Sequence, residues 1–128
     1  MTATFIYIIA GYALIIILVY VIQEKFIFNP EKLKQDFLYK YDVPFKELFF
    51  DVEHGVRING LHFFVKNQLG LILYFHGNAR SIKGGARYAK DFYRYQYDVV
   101  LVDYRGLGKS NGRRAEKAMY NDLQIVYN

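Results

Sequence analysis

Hydrophobic positions run unbroken at the start of the chain and then give way to shorter, alternating patterns. No Asp, Glu, Lys, Arg or His occurs from Thr2 to Gln23, and Phe5 to Ile22 is apolar apart from Gly11 and the hydroxyls of Tyr7, Tyr12 and Tyr20. Coiled as a helix, that stretch rises about 27 Å, close to the roughly 30 Å hydrocarbon core of a bilayer. Tyr7 and Tyr20 sit near its two ends, where amphipathic rings favour the headgroup region. The pattern predicts a single transmembrane helix, with residues 1–23 as anchor and 5–22 against lipid. A secretory signal peptide fits less well. Met1-Thr-Ala-Thr carries no basic side chain, and Gln23-Glu24-Lys25-Phe26 offers no small-residue cleavage site. A buried core helix fits the length and the absence of charge less well too. Lys25, Lys32, Lys34 and Lys40 follow the span and no basic side chain precedes it, so the positive-inside rule puts the C-terminal side in the cytoplasm.

Residues 24–44 mix charge with Phe and Leu and hold both prolines, which suits a juxtamembrane connector. Phe45 to Val52 then reads as a strand with Leu48, Phe50 and Val52 on one face, closed by the turn Glu53-His54-Gly55. In the next run Val56 and Ile58 occupy even positions but Leu61, Phe63 and Val65 odd ones. A one-residue slip of this kind predicts a β-bulge inside a single strand, Val56 to Val65, rather than a hairpin at Asn59-Gly60. Leu69 to Phe75 and Val99 to Val102 are continuous apolar runs, as in strands covered on both faces. Between them Ile82, Ala86, Ala89 and Tyr93 recur at helical spacing, in a helix weakened by Gly84-Gly85 at about 1 kcal/mol each. Strand, helix and strand at this length imply a parallel right-handed crossover. A last helix starts near Ala115, with Ala118, Leu123 and Val126 as its inner stripe. The fold class is therefore α/β, with about four strands in residues 45–128.

Charge and cysteine content change this picture little. The 17 basic and 12 acidic residues leave +5, a surface mildly attracted to anionic lipid. The basic residues are scattered and the aromatics lie inside apolar runs, so no nucleic acid is expected as a partner. With no cysteine, no disulfide or Cys-zinc chemistry is available. His54, His62 and His76 show no metal-ligand spacing, and neither a metal nor another cofactor is expected.

Candidate chemistry sits where the two buried runs break. The first gives way to His76-Gly77-Asn78-Ala79, the second to Asp103-Tyr104-Arg105-Gly106-Leu107-Gly108-Lys109-Ser110-Asn111-Gly112. Ligands of α/β folds bind beyond the carboxyl ends of strands, so these loops are the place to look. Gly108 to Gly112 matches the G-x-S-x-G nucleophile pattern. An elbow, however, joins strand directly to helix, and Tyr104 to Lys109 stand between Ser110 and its strand. Gly-Lys-Ser also suggests a phosphate-cradling loop, but Asp103 occupies the position where that loop needs Gly, which argues against a nucleotide-binding domain. Asp103 and Arg105 are expected to form a salt-bridged pair holding their loop.

His-Gly-Asn-Ala after one strand, Asp-Tyr-Arg-Gly-x-Gly-x-Ser-x-Gly after the next, and Glu116 and Asp122 on the following helix resemble the serine α/β-hydrolase family. The resemblance is to its membrane-anchored members related to serine aminopeptidases and acyl-lipid hydrolases, and it runs from about Phe45 onwards. It implies the N-terminal part of a hydrolase sheet, with the third strand between the fourth and a fifth. It implies that the backbone N–H of Asn78, or of Ala79 as second candidate, is half of an oxyanion hole, with His76 and Gly77 supporting the loop. It also implies that the serine nucleophile, the acid and the histidine of the triad lie beyond Asn128, so that an acyl substrate is met only by the complete protein. A non-catalytic membrane interaction protein on a shortened hydrolase scaffold is the alternative. Three positions depart from the family: Arg114 replaces a usual Pro, Ala115 a helix-capping Ser or Thr, and Gln96 a Gly before the second strand.

Overall fold

The computed structural model describes residues 2–28, 30–77 and 80–128. Helix α1 spans Thr2–Phe28. Its segment Thr4–Gln23 is long and apolar enough to cross a membrane, and none of that segment is buried against the rest of the chain. Its apolar surface is therefore not packed against the other described residues, unlike that of a helix buried in their core.

Four strands follow: β1 (Phe45–Glu53), β2 (Val56–Phe63), β3 (Gly70–Phe75) and β4 (Tyr97–Val102). Among the described residues they form one sheet in the order β1-β2-β4-β3. The hairpin β1–β2 and the pair β2–β4 are antiparallel, whereas β3 and β4 run parallel and in register from Gly70↔Tyr97 to Phe75↔Val102. The crossover between them is a short 3₁₀ turn (Ile82–Gly84) and helix α2 (Ala86–Tyr93); α3 (Glu116–Tyr127) comes last.

Two apolar clusters sandwich the sheet. On one face Leu61, Phe63, Val99 and Leu101 pack with Ile82 and Ala89 from the crossover. On the other, Ile58, Val100 and Val102 meet Leu48, Phe50 and Val52 of β1 and Leu123 and Val126 of α3. β2 and β4 are thus covered on both sides. β3 is not: it is an edge strand, and Leu71 is 60 % exposed.

Several expectations change. β2 carries no bulge; its pairing with β1 is regular from Arg57 to Phe63, and the register shift lies on β1 between Asp51 and Glu53. The apparent slip in parity arises because Asn59 is a fully buried polar residue on the face of Leu61 and Phe63. On the opposite face Gly60 leaves room for the Phe50 ring, which a Cβ would approach to 3.1 Å. Gly84-Gly85 precedes α2 instead of interrupting it, and any side chain at Gly85 would collide with Leu101. Residues 30–44, expected as a connector, lie against the sheet. Leu33 N–H donates to the Gly108 carbonyl at 3.0 Å, Gly108 N–H to that of Glu31 at 2.8 Å, and Tyr39 is buried in the first cluster.

Two of the sequence departures carry a local cost. Gln96 adopts φ +59°, a left-handed conformation that costs a side-chain-bearing residue about 1–2 kcal/mol. Ala115 N-caps α3 with no side-chain hydrogen bond. Gln96→Gly is expected to stabilise the fold by about 1 kcal/mol, and Ala115→Ser by about 0.5–2 kcal/mol. Denaturant unfolding of the full chain in neutral detergent measures both, and an unchanged midpoint contradicts the corresponding assignment.

Candidate functional site

β3 and β4 are parallel neighbours, so the chain leaves both at the same sheet edge, at His76 and Asp103. His76 is 5 % exposed and Asp103 fully buried. His76 Nε2 meets Asp103 Oδ1 at 3.2 Å, and its Nδ1 meets the Gly77 carbonyl at 2.9 Å. Asp103 Oδ1 also accepts the Ile82 N–H at 2.9 Å, which pins the start of the crossover. Tyr104 reaches back to donate its hydroxyl to the His76 carbonyl at 2.8 Å, its ring edge-on to the imidazole.

Both partners of the imidazole are acceptors, a carbonyl and a carboxylate. Both ring nitrogens donate only if the ring is protonated. Burial works against that charge, but the hydrogen bonds to Asp103 and Gly77 and the attraction of Asp103 outweigh it, and the His76 pKa is raised. Burial likewise raises that of Asp103, with His76 opposing. The pair therefore retains a proton that separate groups would release.

The loop after β4 is held by its own backbone. Gly106 and Gly108 adopt φ +73° and +49°, and a Cβ on Gly108 would strike Asp103 Oδ2. These glycines thus serve a tight turn over a buried carboxylate. Ser110 is 2 % exposed; its Oγ accepts the Asn59 N–H at 2.8 Å and donates to the Asp103 carbonyl at 3.3 Å. A hydroxyl engaged this way is not presented to a substrate. The expected Asp103–Arg105 pair does not form. Asp103 is taken by His76, whereas Arg105 forms a two-point bond to Asp122 at 2.5 and 2.7 Å and meets Glu53 at 2.8 Å. Each side chain finds its partner on another segment: His76 at the end of β3 for Asp103, and Asp122 of α3 with Glu53 of β1 for Arg105.

Asn78 and Ala79, the expected amide donors, lie outside the described residues. Of the other singled-out residues, the structure gathers His76, Gly77, Asp103 and Tyr104 at the strand ends, and Gly106, Gly108 and Ser110 beneath them. His62 is half-buried and meets Asp98 at 2.8 Å.

Sequence reasoning missed a polar network under the site. Tyr39 donates to Asn59 Oδ1 at 2.9 Å, Asn59 Nδ2 donates to Glu47 at 2.8 Å, and the buried Lys109 donates to Glu47 at 2.8 Å. Asn59 at a core-facing position of an apolar strand was its one visible sign.

No protein-family model matches the chain. Over 59 residues it is 41 % identical to the lysophosphatidylserine lipase ABHD12 of Danio rerio, a match covering 44 % of this chain and 15 % of the lipase. A 59-residue stretch is also 32 % identical to the multifunctional-autoprocessing repeats-in-toxin of Vibrio cholerae, covering 45 % of this chain and 1 % of the toxin. Among solved structures, the Pyrococcus furiosus esterase Pf2001 superposes with a TM-score of 0.56 at 18 % identity, over 77 % of this chain and 38 % of the esterase. An alpha-beta hydrolase from Vibrio vulnificus gives 0.54 at 19 % identity, over 66 % and 29 %. The fold is the N-terminal part of an α/β-hydrolase. The chain spans well under half the length of each of these proteins.

Within this hydrolase fold the His76–Asp103 pair ties two strand-end loops together, and its charge state should be felt in stability. A group whose pKa rises on folding contributes fully below its unfolded value, about 6.5 for histidine, and loses that contribution as pH climbs through the folded value. Unfolding of the full chain in neutral detergent is expected to become easier from about pH 6.5 upwards, and His76→Gln should flatten that slope. A His76 ring-proton titration with a midpoint at or below 6.5 contradicts the assignment.

Proposed function

We propose that this chain is the N-terminal portion of a membrane-anchored α/β-hydrolase acting on acyl ester, thioester or amide bonds. The observation that carries the reading is the shared carboxyl edge of β3 and β4, where the His76 loop and the Asp103 loop are bonded to one another. In this reading the backbone N–H of Asn78, with Ala79 as second candidate, meets the oxyanion that forms when a nucleophile adds to the acyl carbon. His76 and Gly77 hold that loop in place. A fixed amide needs no reorganisation as the charge appears, and one such donor is worth about 2.7–4 kcal/mol of barrier.

The nucleophile is a serine outside residues 1–128. Supporting this, Ser81 and Ser110 are the serines of the chain, and both hydroxyls are committed. Ser110 is buried as described, and Ser81 Oγ donates to Glu31 at 2.8 Å. Helix α1 is the single-pass anchor, with Lys32, Lys34 and Lys40 favouring a cytoplasmic domain. That the 41 % identical relative is a lipase supports an acyl-lipid substrate.

The test is turnover of a p-nitrophenyl ester by the product of the complete reading frame that carries these residues. Asn78→Pro, which removes the amide N–H, is expected to lower kcat about 100–1,000-fold with KM little changed. Asn78→Ala, which keeps the N–H, should stay near the parent. Equal turnover in the proline variant overturns the oxyanion role. Ser110→Ala should keep the chemistry, although the stranded Asn59 amide costs about 1–3 kcal/mol of stability. Complete loss of turnover in a folded Ser110→Ala protein would make Ser110 the nucleophile after all.

A further inference from the structure

Beside the His76 loop lies an open cleft of about 670 Å³, lined among others by Gly77, Arg80, Lys83, Arg87, Tyr88 and Glu31. Three cationic side chains face one carboxylate there. The cationic groups are held rather than loose. Arg87 donates to the Tyr88 hydroxyl at 2.7 Å and lies over that ring, and Lys83 meets Glu31 at 3.4 Å. The Arg80 carbonyl accepts the Glu31 N–H at 3.1 Å, which fixes its backbone at the cleft wall, and its exposed guanidinium makes no side-chain hydrogen bond among the described residues. Ser81, Gly84, Arg87 and Tyr88 also wall a small hollow of about 40 Å³ that reaches His76. The cleft thus adjoins the strand-end site.

Its position relative to α1 narrows the ligand. Glu31 follows Phe28, the last residue of the helix, by three residues. From Gln23, the end of the apolar segment, to Glu31 the chain can extend at most about 18 Å, five helical rises and three extended residues. If α1 spans a bilayer, the wall of the cleft is therefore tethered within reach of the headgroups. Arginine pairs recognise phosphate through parallel donors, and a basic site at a membrane surface meets anionic lipid at high local concentration.

We propose that this cleft is a subsite for the phosphate of an anionic amphiphile drawn from the membrane. As a substrate subsite it rests on the hydrolase reading above; as a binding site it stands on the cleft alone. The headgroup phosphate sits between Arg80 and Arg87, and the acyl end extends past Gly77 towards the loop after β3.

The test uses the full chain in neutral detergent and calorimetric titration with three probes: dihexanoyl phosphatidic acid, dihexanoyl phosphatidylcholine and inorganic phosphate. The phosphatidic acid is expected to bind at least about tenfold more tightly than either of the others, and more weakly as salt is raised. Arg80→Gln with Arg87→Gln should weaken it about tenfold or more at unchanged circular dichroism, whereas Arg94→Gln, on an exposed arginine not among those lining the cleft, should leave it within about twofold. Lys83→Gln gives a second, independent lesion in case the double variant misfolds. Equal affinity for the phosphatidylcholine, or no loss in any cleft variant, overturns the proposal. Inorganic phosphate binding as tightly as the lipid overturns the membrane source. Binding without any ester turnover by the complete protein would instead remove the hydrolase reading and leave the cleft standing.

Discussion

Burying the carboxylate of Asp103 is the constraint around which the strand-end region is organised. An isolated charge in such a place is untenable, and removing the partner of a buried ion pair typically costs about 3–5 kcal/mol. Its carboxylate is bonded to His76 at the end of β3 and to the amide of Ile82 at the start of the crossover. Its backbone bonds the β2 carbonyl of Asn59 and the hydroxyl of Ser110. Glycine at 108 lets the next turn close over it. One side chain thus fixes where β3 stops, where the helix layer begins and how the second loop folds back. The loop that follows β3 inherits its starting point from this knot.

Much of the architecture was legible because hydrophobic periodicity is a direct consequence of layer packing. The apolar run of β4, the helical spacing of Ile82, Ala86 and Ala89, and the first strand with its Leu48, Phe50 and Val52 face all follow from it. Legibility failed where a polar residue took a core position. Asn59 broke the alternation of β2 and mimicked a bulge, because the side chains that satisfy it, Tyr39 and Glu47, come from distant segments. The pairing of Arg105 was misjudged for the same reason: nearness in sequence suggested Asp103, but its partners Asp122 and Glu53 come from distant segments. Residues 30–44 looked like a connector because their buried aromatics are interspersed with lysine and aspartate.

The candidate site was legible as a place but only partly as a set of groups. Two Gly-containing breaks after apolar runs locate it through topology alone. The basic residues of the adjacent cleft left no motif. Arg80, Lys83 and Arg87, three and four residues apart, lie before the 3₁₀ turn, within it and on the following helix, a spacing that is equally usual on a solvated face. Only the placement of Glu31 and Tyr88 beside them turns scattered charge into a concave surface.

The outermost strand has a consequence for how the molecule breathes. Among the described residues β3 is bonded on one side only, to β4, and Leu71 faces water while Ile72 and Leu73 are half-buried. Peptide groups on its other side have no strand partner among the described residues. Local opening is cheapest where few apolar contacts and few main-chain bonds must be given up together. In residues 1–128 taken alone, amide hydrogen exchange would therefore grade outward across the sheet, slowest in β2 and β4 and fastest along β3. The strand that delivers the His76 loop is the one the core restrains least.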